Sequence, residues 1–163
     1  MIAQNDDKNT GCGIAKRKII FVCTGNTCRS PMAEYYFNSE MKKNGRDCEI
    51  IAESRGLHAD TGSRMSGNSR KVLALNNIND GDIIFKSRQI DDETVKEAEF
   101  VYGITTHHTA RLKEEFLEFK NKILCMPEDI GDPYGGSLEI YEKCFEDIKK
   151  SVDIILKSLI VEN

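Results

Sequence analysis

The sequence predicts an α/β fold: a doubly wound three-layer sandwich around a central four-stranded parallel sheet. Short apolar runs alternate along the chain with segments of helical periodicity, which is typical of a parallel sheet with helices on both faces. Residues 18–23, Lys-Ile-Ile-Phe-Val-Cys, form a continuous apolar run of the kind found in a strand buried on both faces. Ligands of such folds bind at the carboxyl ends of the strands. The loop after the first strand is therefore the first place to search for a functional site.

The predicted elements alternate between strands and helices. The strands cover residues 18–23, 48–52, 99–104 and 122–126. The helices cover residues 30–43, 69–76, a short stretch opening at 91–93, 110–120 and 138–160. In the helix 110–120, Leu112, Phe116 and Leu117 are expected to share one face. In the last helix, apolar residues recur at steps of three and four, which indicates a helix that packs on the sheet.

The start of the first helix has its own signals. Ser30 is expected to be the N-cap, Pro31 the first helical residue, and Glu34 a member of the first turn. Before the first strand, residues 1–17 are polar and show no apolar period. We therefore expect a flexible tail over residues 1–17 and one domain over residues 18–163.

Composition narrows the class of protein. The chain has 163 residues and a formal net charge of −4, and no basic stripe predicts binding to nucleic acid. No run of about 18 apolar residues predicts a membrane span, and the N-terminus lacks the pattern of a signal peptide. The six cysteines are spread along the chain and are interpreted as thiols of a reducing cytosol. These features favour a cytoplasmic protein, expected to be a monomer.

The loop after the first strand carries the candidate chemistry. It reads Cys-Thr-Gly-Asn-Thr-Cys-Arg-Ser-Pro over residues 23–31. Gly25 and Asn26 both tolerate positive φ, so the loop can curl with its backbone N–H groups pointing inward, next to the N-terminus of the following helix. Such a concavity suits a tetrahedral dianion. Arg29 can hold two phosphoryl oxygens with its planar fork.

Cys23 is the expected nucleophile of this loop. A helix N-terminus and a nearby guanidinium both favour the thiolate form of a cysteine, which is the reactive form. The Ser30 hydroxyl could donate a hydrogen bond to the Cys23 sulfur and ease its later departure. The spacing of Cys23 and Arg29 alone is common by chance, but the strand before it and the helix after it raise its significance.

The loop, followed by Met32-Ala33-Glu34, resembles the signature of the low-molecular-weight protein tyrosine phosphatase family, Cys-x-Gly-Asn-x-Cys-Arg-Ser-Pro. The resemblance implies a second motif, Asp-Pro-(Tyr or Phe), and Asp132-Pro133-Tyr134 occurs just before the last helix. The family implies that Cys23 attacks phosphorus to form a cysteinyl-phosphate. It also implies that Asp132 protonates the leaving atom and then activates water, so that inorganic phosphate is released.

The expected site residues follow from these motifs. Cys23, Arg29 and Asp132 are the expected catalytic residues, and no metal or cofactor is implied. The residues expected to bind phosphate or substrate are Thr24, Gly25, Asn26, Thr27, Cys28, Ser30 and Tyr134.

Thr27 points to the substrate class. Many tyrosine-specific members of the family have a bulky aliphatic residue at this position, whereas bacterial protein-arginine phosphatases have threonine. A threonine hydroxyl can contact guanidinium nitrogens or the attacking water, which a leucine or isoleucine could not do. The residues around Thr105–His108 and the run after Tyr134 also resemble the arginine-phosphatase branch. A phosphoarginine protein is the expected substrate, with phosphotyrosine as the alternative. Tyr134 would flank the cleft and stack on the substrate side chain.

Three other functions fit the sequence less well. Thioredoxin-coupled arsenate reductases have a similar loop but need two further redox cysteines just beyond the third strand, where this chain has Thr105, His107 and His108, and Cys125 comes only later. A phosphocysteine carrier would not need Arg29 or Asp132. A zinc site with Cys23 and Cys28 lacks a second close pair of ligands, and the histidines are expected to be surface or loop residues.

Two further features concern the surroundings of the loop. Cys28 could form a reversible disulfide with an oxidised Cys23, or could simply pack in the interior. Arg55 stands where the family usually has alanine, and Phe85 stands where many relatives have histidine. The support of the loop is therefore expected to differ from that of the family.

Overall fold

A parallel sheet forms the centre of the protein in a computed structural model, which describes residues 15–78 and 84–161. The strands within these residues are β1 (Arg17–Cys23), β2 (Ile50–Gly56), β3 (Phe100–Gly103) and β4 (Ile123–Cys125). All pairings are parallel, and the spatial order is β2-β1-β3-β4. This arrangement confirms the predicted fold class.

Helices cover both faces of the sheet. In the described part of the chain they are α1 (Arg29–Lys43), α2 (Gly67–Leu75), α3 (Asp92–Glu97), α4 (Thr106–Glu115) and α5 (Leu138–Val161). A 3₁₀-helix, Leu117–Lys122, precedes β4. Apolar side chains of α1, α2 and α5 form the core on one face, and those of α3 and α4 form the core on the other. None of the helices in the described ranges is long and apolar enough to cross a membrane.

The central strand β1 is buried on both faces, as its apolar run predicts. Ile19 and Phe21 point into the core with α1 and α5, while Ile20 and Val22 point into the core with α3 and α4. All four side chains are fully buried. Because burial of an aliphatic or aromatic side chain contributes about 1.5–3 kcal/mol, β1 is an anchor of the whole sheet.

The strand order places the loop after β1 at a topological switch point. β1 pairs with β2 on one side and with β3 on the other, so the chain leaves the sheet in opposite directions around this point. At the end of β1, the Cys23 carbonyl accepts a hydrogen bond from Leu57 N–H at 2.9 Å. A side chain at Gly56 would meet the Thr24 carbonyl at 2.7 Å, so a glycine lets β2 approach the loop closely.

The start of α1 differs from the prediction. The helix begins at Arg29 with Cys28 as its N-cap residue, and no side chain caps it. Ser30 is therefore inside the helix and fully buried, because its hydroxyl serves the loop instead of the helix terminus. Since the helix starts earlier, Glu34 falls beyond the first turn.

The bounds of β2 and α4 also differ from the prediction. β2 begins at Ile50 and continues to Gly56, where the prediction ended at residue 52, because it stays paired with β1 up to Cys23. α4 begins at Thr106, capped by the Thr105 side chain, and ends at Glu115. Leu117 therefore starts the 3₁₀-helix and is 62% exposed, so the expectation that it shares the buried face was wrong.

The predicted tail is only partly described. Residues 1–14 lie outside the described residues. Arg17, assigned to the tail, is instead the first residue of β1, and its guanidinium pairs with both carboxylate oxygens of Glu99 at 2.6 and 2.7 Å. This ion pair holds the beginning of β1 beside the beginning of β3.

Candidate active site

A cavity of about 210 Å³ lies at the carboxyl end of β1. It is lined by Cys23, Thr24, Gly25, Thr27, Cys28, Arg29, Asp132 and Tyr134. The structure therefore brings together eight of the ten residues singled out in the sequence, from two segments about a hundred positions apart. The other two, Asn26 and Ser30, are fully buried beneath the loop.

Cys23 lies at the floor of the cavity and is 3% exposed. Its sulfur is 2.9 Å from the Ser30 hydroxyl oxygen, as the sequence predicts. Asn26 donates a hydrogen bond to the same hydroxyl at 2.9 Å, so the single Ser30 proton has two acceptors within reach, the Cys23 sulfur and the Arg55 carbonyl oxygen at 3.3 Å. A hydrogen bond from Ser30 would stabilise the thiolate of Cys23 and make it a better leaving group.

Asn26 gives the loop its shape. Its φ of 56° lies in the left-handed region, whereas Gly25 does not have positive φ, so only one of the two residues that tolerate this conformation adopts it. The Asn26 amide donates to Ser30 and Ser54, both at 2.9 Å, and its carbonyl accepts from Arg88 N–H at 2.9 Å. These three bonds offset the cost of the left-handed backbone.

A carboxyl group supports this arrangement from below. Ser54 donates to Glu34 at 2.5 Å, so a chain of hydrogen bonds runs from Glu34 through Ser54, Asn26 and Ser30 to Cys23. Burial raises the pKa of Glu34 to about 7, against the lowering effects of the Ser54 hydrogen bond and the Arg88 charge. Sequence reasoning missed this role because the contacts join α1, the loop and β2.

Arg29 spans the cavity from the first turn of α1. Its guanidinium is almost buried, donating through Nη1 to the Ile130 carbonyl at 3.0 Å and placing Nη2 3.7 Å from Asp132 Oδ2. The fixed donor to Ile130 orients the planar group, so its remaining N–H groups can face an anion in the cavity.

Asp132 lies at the rim, opposite the floor that carries Cys23. Its side chain is 58% exposed, and its Oδ1 accepts a hydrogen bond from Tyr134 N–H at 3.2 Å. Tyr134 lines the mouth of the cavity and is 79% exposed, which agrees with the expected flanking position. An exposed ring of this kind is free to pack on a substrate side chain.

Thr27 and Cys28 line the side of the cavity near α2 and α5. The Thr27 carbonyl accepts from Ser66 N–H at 2.9 Å, just before α2. The Cys28 sulfur lies 3.4 Å from the Tyr141 hydroxyl, and burial with this contact raises the pKa of Tyr141 to about 12. Cys28 is a free thiol beside free Cys23, so the disulfide stays a prediction.

His108 is a site residue that the sequence analysis placed wrongly. It was expected at the surface or in a loop, but it lies in the first turn of α4 and is 3% exposed. Its Nε2 is 2.9 Å from Thr24 Oγ1, and its Nδ1 is 2.9 Å from Thr105 Oγ1. Burial and the nearby Arg29 charge lower the pKa of His108 to about 4. The sequence signal that could have placed His108 is Thr105, because an N-cap residue at this position puts His108 in the first turn of α4.

Arg55 and Phe85, the two residues that depart from the family pattern near the loop, are both buried. The Arg55 guanidinium pairs with Glu53 at 2.7 Å, and its carbonyl accepts from Ser30 at 3.3 Å. The Phe85 ring is buried and packs edge-to-face on Tyr35 with centroids 6.3 Å apart. In the described ranges, no three His, Cys, Asp or Glu side chains are grouped as a metal site would require.

Comparisons with known proteins identify relatives of this chain. The profile of the low molecular weight phosphotyrosine protein phosphatase family matches residues 18–163. A protein-arginine-phosphatase from Geobacillus stearothermophilus is 31% identical over 152 residues, covering 89% of this chain and 97% of the relative. A low molecular weight protein-tyrosine-phosphatase PtpB from Staphylococcus haemolyticus is 33% identical and covers 80% and 91%.

Solved structures agree in fold. The YwlE arginine phosphatase from Geobacillus stearothermophilus superposes with a TM-score of 0.80 at 31% identity, covering 90% of this chain and 94% of that chain. A Cys-to-Ser mutant of YwlE with a phosphorylated active-site serine gives a TM-score of 0.81 at 28% identity and covers 87% and 95%.

Proposed function

The chain belongs to the low-molecular-weight phosphotyrosine protein phosphatase family and is a protein phosphatase, and from this premise we propose that its substrate is phosphoarginine in proteins. The observation that carries the proposal is the threonine at position 27, whose side chain lines the cavity beside Cys28 and Arg29. A hydroxyl at this position can accept a hydrogen bond from a substrate guanidinium, which an aliphatic side chain cannot do. The similarity to protein-arginine phosphatases supports this choice.

We propose that Cys23, Arg29 and Asp132 carry out the reaction in two steps. The Cys23 thiolate attacks phosphorus, an S–P bond forms and the P–N bond of phosphoarginine breaks, while Asp132 gives a proton to the leaving nitrogen. Water then attacks phosphorus, Asp132 takes its proton, and the S–P bond breaks to release inorganic phosphate. Arg29 and the loop N–H groups hold the equatorial oxygens throughout.

The remaining loop residues have supporting roles in this proposal. Thr24, Gly25, Thr27 and Cys28 surround the phosphoryl group and the side chain that bears it, and Tyr134 packs on that side chain at the mouth. Asn26 and Ser30 hold the loop and the Cys23 sulfur in place. No metal or cofactor takes part. Since thiolate chemistry requires a reducing compartment and one chain lines the whole cavity, we propose a cytoplasmic monomer.

Substitution of the two reacting side chains tests the mechanism. Cys23→Ser should remove turnover, because a serine hydroxyl is not ionised at neutral pH. Asp132→Asn should lower kcat by roughly 10²- to 10⁴-fold, because a general acid contributes about this factor. The measurement is phosphate release from a phosphorylated protein, with the exposed Cys48→Ser and Asp47→Asn as matched controls. Unchanged turnover in Cys23→Ser would contradict the mechanism.

A comparison of two substrates tests the specificity. We expect higher kcat/KM on phosphoarginine than on phosphotyrosine in peptides of otherwise equal sequence. Thr27→Ile should lower this preference, because it keeps the branched shape and removes the hydroxyl. The exposed Thr61→Ile serves as the control. Phosphotyrosine is the second candidate, and a phosphoarginine preference that persists in Thr27→Ile would remove Thr27 from the explanation.

A further inference from the structure

His108 lies between two threonine hydroxyls, only one of which lines the cavity. Its Nε2 is 2.9 Å from Oγ1 of Thr24, a cavity residue, and its Nδ1 is 2.9 Å from Oγ1 of Thr105, the cap of α4. Helix α4 is thus connected through one imidazole to the phosphate-binding loop. No role in the reaction described above uses this histidine.

The imidazole is neutral at neutral pH. His108 is 3% exposed, and burial together with the charge of Arg29 lowers its pKa to about 4, although Asp132 and Asp129 act in the opposite direction. A neutral imidazole has one N–H donor and one acceptor nitrogen. The imidazole must therefore donate a hydrogen bond to one of the two threonines and accept one from the other. The hydrogen bonds of the three side chains then all run in one direction, either from Thr105 to Thr24 or from Thr24 to Thr105.

The bonds of Thr105 indicate the direction. Its oxygen already accepts the backbone N–H of His108 at 3.2 Å, so its own proton is available for Nδ1. The ring proton is then on Nε2 and is donated to Thr24. The oxygen of Thr24 becomes the acceptor in this contact, and its hydroxyl proton is left for the cavity.

The opposite direction suits an anion poorly. If Thr24 donated to Nε2, it would present only lone pairs to the cavity and would repel a phosphoryl oxygen. Thr105 would then accept two hydrogen bonds, and in the described residues its proton would have no protein acceptor. A dianion in the cavity therefore selects the direction from Thr105 through His108 to Thr24.

We propose that His108 is a positioning residue that holds the Thr24 hydroxyl as a hydrogen-bond donor to a phosphoryl oxygen. The proposal rests on the phosphate-binding role proposed above for the loop. It adds to the backbone N–H groups a side-chain donor whose direction is set by a helix on the other face of the sheet. The reaction thus depends on α4, which contributes no residue to the lining of the cavity.

Nuclear magnetic resonance of the protein with ¹⁵N-labelled histidine tests the direction without any turnover. In the presence of saturating inorganic phosphate, long-range ¹H–¹⁵N correlations of His108 should show the neutral Nε2–H tautomer. His108→Gln identifies the signals by their loss, because His58 and His107 remain. An Nδ1–H tautomer or a charged ring would overturn the proposal, whatever the activity on phosphoarginine.

A double-mutant cycle tests the consequence for binding. Thr24→Val and His108→Leu should each weaken binding of inorganic phosphate by roughly tenfold in titration calorimetry, because each removes the oriented donor. In the Thr24→Val background, His108→Leu should cost nothing further. Equal losses in both backgrounds would overturn the proposal, since His108 would then act independently of Thr24.

Conservative variants separate positioning from folding. Thr24→Ser keeps the hydroxyl, and His108→Gln keeps an N–H group at about the reach of Nε2, so both should restore most of the phosphate affinity. The exposed neighbour His107→Leu is the matched control. Thr24→Val changes an exposed side chain and leaves the core intact, so the test stands even where His108→Leu lowers the thermal stability. A failure of His108→Gln to exceed His108→Leu in affinity would contradict the proposal.

Discussion

At Glu34, the surroundings act in opposite directions on a carboxyl group. Burial disfavours its charge and raises its pKa from 4.5 to about 7, although the hydrogen bond that Ser54 donates favours the charged form. Arg88 and Arg55 reduce this effect, and Glu53 adds to it.

Stability should depend on pH through this residue. Because the folded state holds the Glu34 proton more tightly than the unfolded state, the free energy of unfolding should fall as the pH rises from about 4.5 to about 7. The contribution is on the order of 3 kcal/mol. Glu34→Gln, which keeps an acceptor for Ser54, should remove this slope in denaturant titrations at several pH values.

Glu40→Gln is the matched control for Glu34→Gln. Glu40 lies on the same helix and pairs with Lys43 at its surface, so its replacement should leave the slope unchanged. A wild-type slope that persists in Glu34→Gln would show that another group carries the pH dependence.

At the scale of the element, the packing of β3 against α4 places His108. Gly103 ends β3, and a side chain at this position would collide with Thr109 Oγ1 and would meet Thr109 N at 2.6 Å. The Thr109 hydroxyl in turn donates to the Thr105 carbonyl at 2.9 Å. The absence of a side chain at Gly103 thus sets how closely the first turn of α4 approaches the sheet.

Gly103→Ala should therefore be costly. The new methyl group meets backbone as well as side-chain atoms, and overpacking of this kind costs about 1–3 kcal/mol. We also expect weaker phosphate binding, because α4 must move and His108 moves with it. Gly67→Ala, at the first residue of α2 with open space around it, is the control. Chemical denaturation and calorimetry give the two values, and an unchanged stability of Gly103→Ala would contradict this account.

The elements could be predicted to different depths from the sequence. The buried run was sufficient to predict β1, since it depends only on neighbouring residues. For the same reason, the motifs around Cys23, Arg29 and Asp132 were sufficient to predict which residues line the cavity. The predicted start of α1 was wrong, because the Ser30 hydroxyl contacts the Cys23 sulfur at 2.9 Å instead of capping the helix. The contacts of Glu34 and His108 could not be predicted from the sequence, because they join side chains that are distant in the sequence and meet only after the sheet has formed.

At the scale of the whole molecule, the cavity joins the two halves of the chain. Arg29, in the first half, donates to the Ile130 carbonyl in the second. Cys28 contacts Tyr141 of α5, and Asn68 of α2 donates to the carbonyl of Gly136, just before α5, at 3.3 Å. An anion in the cavity contacts both halves, so it is expected to stabilise the folded state as a whole.

Inorganic phosphate should therefore raise the melting temperature. A ligand at a hundred times its dissociation constant stabilises the folded state by about 2.7 kcal/mol when it does not bind the unfolded chain. Differential scanning calorimetry with increasing phosphate measures the effect, and chloride at equal ionic strength is the control. Arg29→Ala should remove most of the shift, since it removes the guanidinium from the cavity. An equal shift in chloride would show that the site is not responsible.

The separation of the two motifs along the chain also has a consequence for synthesis. The ribosome completes residues 23–30 early, whereas Asp132 and the helix α5 that follows it are added near the end. A nascent chain that stops before Ile130 carries the proposed nucleophile Cys23 but neither the proposed acid nor the carbonyl that orients Arg29. We therefore expect unfinished chains to be inactive towards phosphoproteins until α5 has been made and has packed against α1.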